Sequence, residues 1–253
     1  MDPAGFGIEQ AAGGQGDAGE ALGAGVKGYA AGKLTAEQRR FYNDLRDMAV
    51  AELSSGHVIA APLVITQLLR LRQALCNIVP DGEGGNVKIS ESDPRLEEVL
   101  NIIEEAGDQK VIVWSCFVPS IKRLTDAINE RYGDGSAAAY YGDVTSEQRE
   151  RLVDTFQDKS SKLKVLVMQP RTGGFGITLT AASVVVYHDN DWSLEVRLQS
   201  EDRAHRIGQT RAVSYIDLVA RDTVDEKVIE ALRNKQDLAD QITGDKLVRM
   251  LTT

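Results

Sequence analysis

Cysteine is scarce in this sequence: 253 residues contain only Cys76 and Cys116, forty positions apart and without a CxxC pairing or a nearby histidine cluster. That excludes a disulfide framework and gives no zinc-ligand spacing, so both thiols are expected to be small buried apolar groups. Long hydrophobic runs are also missing. The most apolar stretches, Val111–Trp114 and Ala181–Tyr187, fall far short of the roughly 20 residues that span a bilayer. The first ten residues, MDPAGFGIEQ, have neither a basic start nor an apolar core, so no secretory signal is read there and a cytoplasmic setting is expected. Positive charge is in the minority too, with 29 Lys and Arg against 38 Asp and Glu and a formal net charge of −9. This excludes a wholly basic, histone-like binder, yet a few arginines can still form a local phosphate-contacting patch.

What is present divides by composition. Residues 1–32 hold ten of the 23 glycines with many alanines, too little apolar surface to offset the entropy of ordering, and read as a flexible tail or linker. Within it GVKGYAAGKL (25–34) imitates a phosphate loop, but the spacing fails. Lys27 stands where the first glycine belongs and Leu34 where Ser or Thr is required. Residues 33–90 read as a helical lead-in segment. Thr35 and Gln38 have capping-box spacing ahead of a helix to about Leu53, with Phe41, Leu45, Met48 and Leu53 as its apolar stripe. A second helix near Leu63–Cys76 carries Leu68, Leu71 and Leu75 on one side, with Arg70 and Arg72 elsewhere, before a turn or short hairpin at 81–85.

Over 91–253 the pattern alternates between helix and strand. Asp93–Pro94 starts a helix to about Ala106, Lys110–Ser115 is an apolar strand, and Pro119 opens another helix. Ala137–Tyr141, Leu163–Met168, Ser183–His188 and Val213–Val219 read as strands, with helices starting near Thr145, Thr180, Ser193 and Thr223. Thr145–Gln148 and Thr223–Glu226 repeat the capping-box spacing. This βαβα rhythm predicts an α/β fold with a parallel sheet flanked by helices.

Ligands of open α/β sheets gather beyond the carboxyl ends of the strands. The loop after the Leu163–Met168 strand contains Gly173, Gly174 and Gly176, which permit convergence of backbone amides on a phosphate oxygen or, equally, a tight turn. Further on, Gln199, Arg203 and Arg206 stand at i, i+4 and i+7 and would share one helix face. Two guanidinium forks there suit a polyphosphate; the same spacing also describes a solvated face paired with Glu201 and Asp202.

The strings themselves go further. QSEDRAHRIGQ (199–209) closely resembles the sixth motif of Swi/Snf-type DNA translocases of helicase superfamily two. KVIVWSCF (110–117) is similar to the fourth motif, YYGDVTSEQRERLVDTFQ (140–157) to the segment after it, and PRTGGFGITLTAA (170–182) to the fifth. LTAEQRRFY (34–42) and LLRLRQALC (68–76) resemble the lead into the second RecA-like lobe, and TVDEKVIEALRNKQDLADQITGD (223–245) its closing helices. Ser193–Leu194, where many remodellers have Asn-Pro, is similar to a phage and prophage subgroup. Gln169 and Pro170 depart from the small hydroxyl residues usual at the head of the fifth motif, and Thr178 from a common asparagine.

This resemblance implies a RecA-like second lobe, lacking the phosphate-loop lysine and acidic box of the first. ATP and Mg²⁺ would be held mainly by that N-terminal lobe, the expected partner, and the isolated chain would not turn over ATP. Arg203 and Arg206 would act catalytically on the β and γ phosphates, with Gln199, Gly174 and Gly176 toward the nucleotide. Double-stranded DNA would be held by its phosphates through Tyr141, Gly142, Arg171, Thr172, Gly173 and Thr180, with Arg123 added from its place after the fourth motif. His205 reads as a packing residue and Trp192 as a buried anchor rather than a base-stacking platform. The cell would be bacterial or phage-infected, and a non-enzymatic DNA- or protein-binding module is the competing reading.

Overall fold

The computed structural model describes residues 7–10, 27–53, 61–172, 177–234 and 244–252. The first strands are β1 (Gly7–Gln10) and β2 (Lys27–Gly32), and the helical lead-in follows as α1 (Ala36–Leu53) and α2 (Ala61–Leu75). A hairpin of β3 (Val79–Pro80) and β4 (Asn86–Val87) leads to α3 (Pro94–Glu105), β5 (Lys110–Trp114), α4 (Val118–Tyr132) and β6 (Ala137–Tyr140). Then come α5 (Ser146–Gln157), β7 (Val165–Met168), β8 (Ala182–Tyr187), α6 (Leu194–Ala204), β9 (Ser214–Ala220), α7 (Val224–Arg233) and α8 (Gly244–Thr252). The main sheet runs β1-β2-β9-β8-β5-β7-β6. Every neighbouring pair in it is parallel except β1 with β2.

Local chemistry accounts for most of these elements. Thr35 and Gln38 form a reciprocal box ahead of α1: each backbone amide donates to the other's side chain, at 3.3 and 3.1 Å. Thr145 and Gln148 do the same for α5. Asp93 caps α3 by accepting from the Leu96 amide, and Pro94 fills the first helical position, where no amide donor is needed. The central strands β5, β7 and β8 are buried throughout, as parallel strands covered on both faces must be. Alternate residues serve opposite layers. Val111, Val113, Val165 and Val167 pack with Ile103 of α3 and Leu124 of α4, while Ile112, Trp114, Leu166 and Met168 pack with Phe156 of α5.

Three expectations are corrected. Within the segment read as a flexible tail, Lys27–Gly32 pairs with β9 from Lys27↔Tyr215 to Gly32↔Ala220, and Gly7–Gln10 pairs with β2. Backbone donors and acceptors hold these strands, so the scarcity of large apolar side chains does not prevent them. No helix starts at Thr180; the chain turns there and enters β8 at Ala182. In α1, Gln38, Tyr42, Ala49 and Leu53 are buried and Phe41 and Leu45 pack half-buried against the same cluster, so of the expected stripe Met48 is the exposed member. Tyr42 is turned inward to take a hydrogen bond from the Val224 amide at 2.8 Å, and burial pushes its phenol up to about 12.

The lead-in helices are packed against the end of the chain. Leu68, Leu71 and Leu75 of α2 share a cluster with Val219 and Ala220 of β9, Val228 of α7 and Leu251 of α8. No helix among the described residues is long and apolar enough to cross a membrane.

Candidate functional site

The carboxyl ends of β5, β6, β7 and β8 bring several loops together. Gln169, just past β7, is the clasp: its amide donates to Tyr140 O at 2.9 Å, its Nε2 to Cys116 O at 3.3 Å, and its Oε1 accepts from the Thr172 hydroxyl at 2.6 Å. A residue that departs from the expected motif thus ties the end of β6 through its amide, and the loop after β5 to its own turn through its side chain. Arg171 projects from the same turn, 58% exposed, and forms a bidentate pair with Asp191 at 2.8 and 2.9 Å. Thr180 lies beside α5, its hydroxyl accepting from Gln157 Nε2 at 3.2 Å. Gly173, Gly174 and Gly176 lie outside the described residues.

Gln199, Arg203 and Arg206 do not share a helix face. Helix α6 stops at Ala204, and His205 takes a non-helical backbone conformation. The end is built by the motif itself. Gln209 Nε2 donates to Ala204 O at 3.2 Å, and also to Thr180 O and Ala182 O, while the Leu179 amide donates to Arg203 O at 2.8 Å. Carbonyls orphaned at the helix terminus are thereby satisfied. Gly208 then turns the chain at φ 105°, in the region that glycine occupies without strain.

The two arginines consequently diverge. Arg203 is 8% exposed, its guanidinium carbon 5.2 Å from the centre of the Trp114 ring, and it donates to Pro170 O and Thr172 O, each at 3.3 Å. Burial lowers its pKa from the ordinary arginine value, opposed by the nearby Tyr140 and Tyr187. Arg206 is exposed and donates to the Thr178 hydroxyl at 3.3 Å, beside an Ile207 that is 100% exposed. Gln199 is half-buried and donates to Glu195 at 2.9 Å.

Tyr141 and Gly142 form the turn after β6, with Lys122 Nζ 5.5 Å from the Tyr141 ring centre and Gly142 bordering open space. Arg123 is placed otherwise than expected. It pairs with Asp93 at 2.7 Å and donates to Cys76 O and Asn77 O at 2.6 and 3.2 Å. Its donors close the carboxyl end of α2, where Asn77 is left-handed at φ 55°, instead of facing a ligand. Trp192 is half-buried in the lead-in cluster, and His205 is exposed.

Beneath these loops lies a charged network that the sequence did not reveal. Asp189 receives Ser115 Oγ at 2.5 Å, the Cys116 amide at 3.0 Å, His188 Nδ1 at 3.2 Å and Arg72 at 3.4 Å. Burial alone would raise its carboxyl, but bonding and charge from His188, with Arg72 and Ser115, hold it well below the usual carboxylate range. Burial pushes His188 down, and its Nε2 finds no hydrogen-bond partner. Cys76, His188 and Asp189 place potential metal-ligand atoms within 4.8 Å of one another. However, Asp189 is already filled with donors, and Arg72 supplies the counter-charge a cation would bring. The only outward signs in the sequence are an arginine inside the leucine-rich α2 and a histidine ending an apolar strand.

Comparison with known proteins agrees with this geometry. The family described as "Helicase conserved C-terminal domain" matches residues 94–208. An uncharacterized ATP-dependent helicase of Mycoplasma pneumoniae is 28% identical over 234 residues, covering 86% of this chain and 22% of that protein. A chromatin-remodeling ATPase INO80 of Cryptococcus neoformans is 40% identical over 156 residues, covering 61% of this chain and 8% of its own. The chain thus spans about a fifth of the first relative's length and less than a tenth of the second's. Among solved structures, the Sulfolobus solfataricus SWI2/SNF2 ATPase core in complex with dsDNA superimposes with a TM-score of 0.66 at 25% identity, over 89% of this chain and 47% of that one. Residues 94–208 therefore resemble the helicase conserved C-terminal domain, and the α/β fold that carries them matches the RecA-like fold of that SWI2/SNF2 ATPase core.

Proposed function

We propose that this chain is the second motor lobe of an ATP-dependent double-stranded DNA translocase. The reading is carried by Arg206, an exposed guanidinium on the connection between α6 and β9 that donates to Thr178 in the segment joining β7 to β8. Docked against the N-terminal RecA-like lobe of a longer protein, Arg206 would meet the β and γ phosphates and offset charge developing as the γ-phosphoryl group leaves. Such an arginine contributes about 10³–10⁵ in rate, or roughly 4–7 kcal/mol of barrier. Arg203 would act with it on the phosphates while it fixes the loop after β7, and Gln199, Gly174 and Gly176 would be turned toward the nucleotide.

ATP with Mg²⁺ supplies the phosphoryl chemistry when bound. This lobe offers guanidinium donors to phosphate oxygens, and the metal ligands belong to the first lobe. Duplex DNA would lie along Tyr141, Gly142, Arg171, Thr172, Gly173 and Thr180, gripped by its backbone, with weak sequence preference and strong salt dependence. Arg123 is left out of this surface because its donors close α2. Kinship with a phage and prophage subgroup, and a bacterial or infected host cell, rest on Ser193–Leu194 alone.

The test is Arg206→Ala in the full-length protein. DNA-stimulated hydrolysis should be abolished while duplex binding is largely kept. Undiminished hydrolysis removes Arg206 from this role and favours the second reading, a DNA- or protein-binding module without chemistry of its own.

A further inference from the structure

The buried side chains of helix α6 are mostly polar. Its buried residues are Arg197, Ser200, Glu201, Arg203 and Ala204, so alanine is the one apolar member. Its N-cap residue, Ser193, makes no side-chain capping bond. Leu194 packs half-buried against the lead-in cluster, but with alanine as the only fully buried apolar side chain and no local cap the helix depends for its position on the hydrogen bonds that reach it.

Those bonds trace back to the lead-in segment. Arg72 of α2 is held between two rings, 5.3 Å from the centre of Phe117 and 4.9 Å from that of Trp192, and donates to the Asn190 carbonyl as well as to Asp189. The Asn190 side chain continues the path, donating to Asp217 at 3.0 Å and accepting from Arg197 Nη1 at 2.6 Å. Arg197 in turn pairs with Asp217 and, one turn along its own helix, with Glu201 at 2.7 Å. Links of this kind tolerate little displacement, because a buried charge that loses its partner is strongly disfavoured.

We propose that Arg72 is a positioning residue for α6, acting through Asn190 and Arg197, so that the lead-in helix α2 sets where Arg206 is presented. The inference rests on the role given to Arg206 above. Its first test does not depend on activity: hydrogen exchange of the full-length protein, comparing peptides over 194–204 with peptides over 94–105. Arg72→Met keeps bulk between the two rings but removes the donors, and Asn190→Ala cuts the path while leaving the Asn190 carbonyl for Arg72. Each should speed exchange in α6 at least tenfold and leave α3 unchanged. Leu71→Ala, a buried neighbour off the path, should loosen α2 without that selectivity.

In hydrolysis assays the two path variants should lower DNA-stimulated kcat at least tenfold with KM for ATP within threefold, and Arg72→Lys should recover part of the loss. Unchanged α6 exchange in both path variants, or an identical pattern from Leu71→Ala, overturns the proposal. Should one path variant fail to fold, the other carries the test alone. The Arg206→Ala assay reports separately on the reading beneath it, so either can fail without the other.

Discussion

Arginines occur in two settings in this lobe, and the contrast separates architecture from chemistry. Arg72, Arg95 and Arg197 are buried against Asp189, Asp225 and Asp217, with their donors committed to carboxylates and carbonyls inside the fold. Arg171 stands exposed on the loop after β7 and Arg206 on the connection after α6. A planar, permanently charged fork serves both purposes, but only the exposed setting lets a phosphate join the present contacts without breaking a buried pair. Arg203 lies between them, buried yet bonded to loop carbonyls, so it transmits the position of one strand-end loop to the helix preceding Arg206.

The sharpest way to break this contrast is to delete an exposed arginine and, separately, the carboxylate partner of a buried one. Arg206→Ala should reduce hydrolysis by the full-length protein by about 10³-fold or more, with its urea midpoint unchanged, as expected for an exposed side chain. Asp189→Asn should do the opposite kind of damage. Leaving Arg72 buried without its carboxylate should cost about 3–5 kcal/mol in urea unfolding. A loss below about 1 kcal/mol would show that the buried set is not structural.

A smaller effect is expected from pH. His188 is fully buried with its pKa lowered by burial, so the unfolded chain takes up its proton first as pH falls. This contribution to stability is complete above the unfolded value near ~6.5 and declines below it, at up to about 1.4 kcal/mol per pH unit. Asp189, depressed in the folded state, adds a second decline only below about pH 4. His188→Gln should flatten the first of these, measured by urea unfolding between pH 5 and 7; an unaltered slope would assign it to other groups. The smallest effect belongs to Arg171→Ala. The salt dependence of duplex binding should shallow by about one phosphate contact, since the lost side chain is 58% exposed.

Much of the fold could be read from the chain because local signals agreed with packing. Thr35 with Gln38, Thr145 with Gln148, and Asp93–Pro94 each start a helix where the spacing predicts one. The valine-rich runs at 111–113 and 184–186 lie inside strands β5 and β8. Strand β2 was hidden because Gly and Ala carry no side-chain pattern and its pairing is made by the backbone. The shared face of Gln199, Arg203 and Arg206 was over-read, since spacing assumes that a helix continues, and Gln209 ends it at Ala204 by a contact from outside the helix. Arg123 was placed by its distance from a motif, but the left-handed Asn77 brings the end of α2 within its reach. Arg72 was the deepest omission. Arg72, like Arg70 beside it, reads as outward among leucines, and only the fold brings Asp189 and Asn190, more than a hundred residues later, to meet it.

The most direct measurement is phosphate release from ATP in the presence of duplex DNA, made in parallel on the full-length protein and on these 253 residues alone. A lobe that lends its arginine to a neighbour's nucleotide predicts DNA-stimulated turnover in the first and none above background in the second. Sustained turnover by the short chain would contradict that dependence.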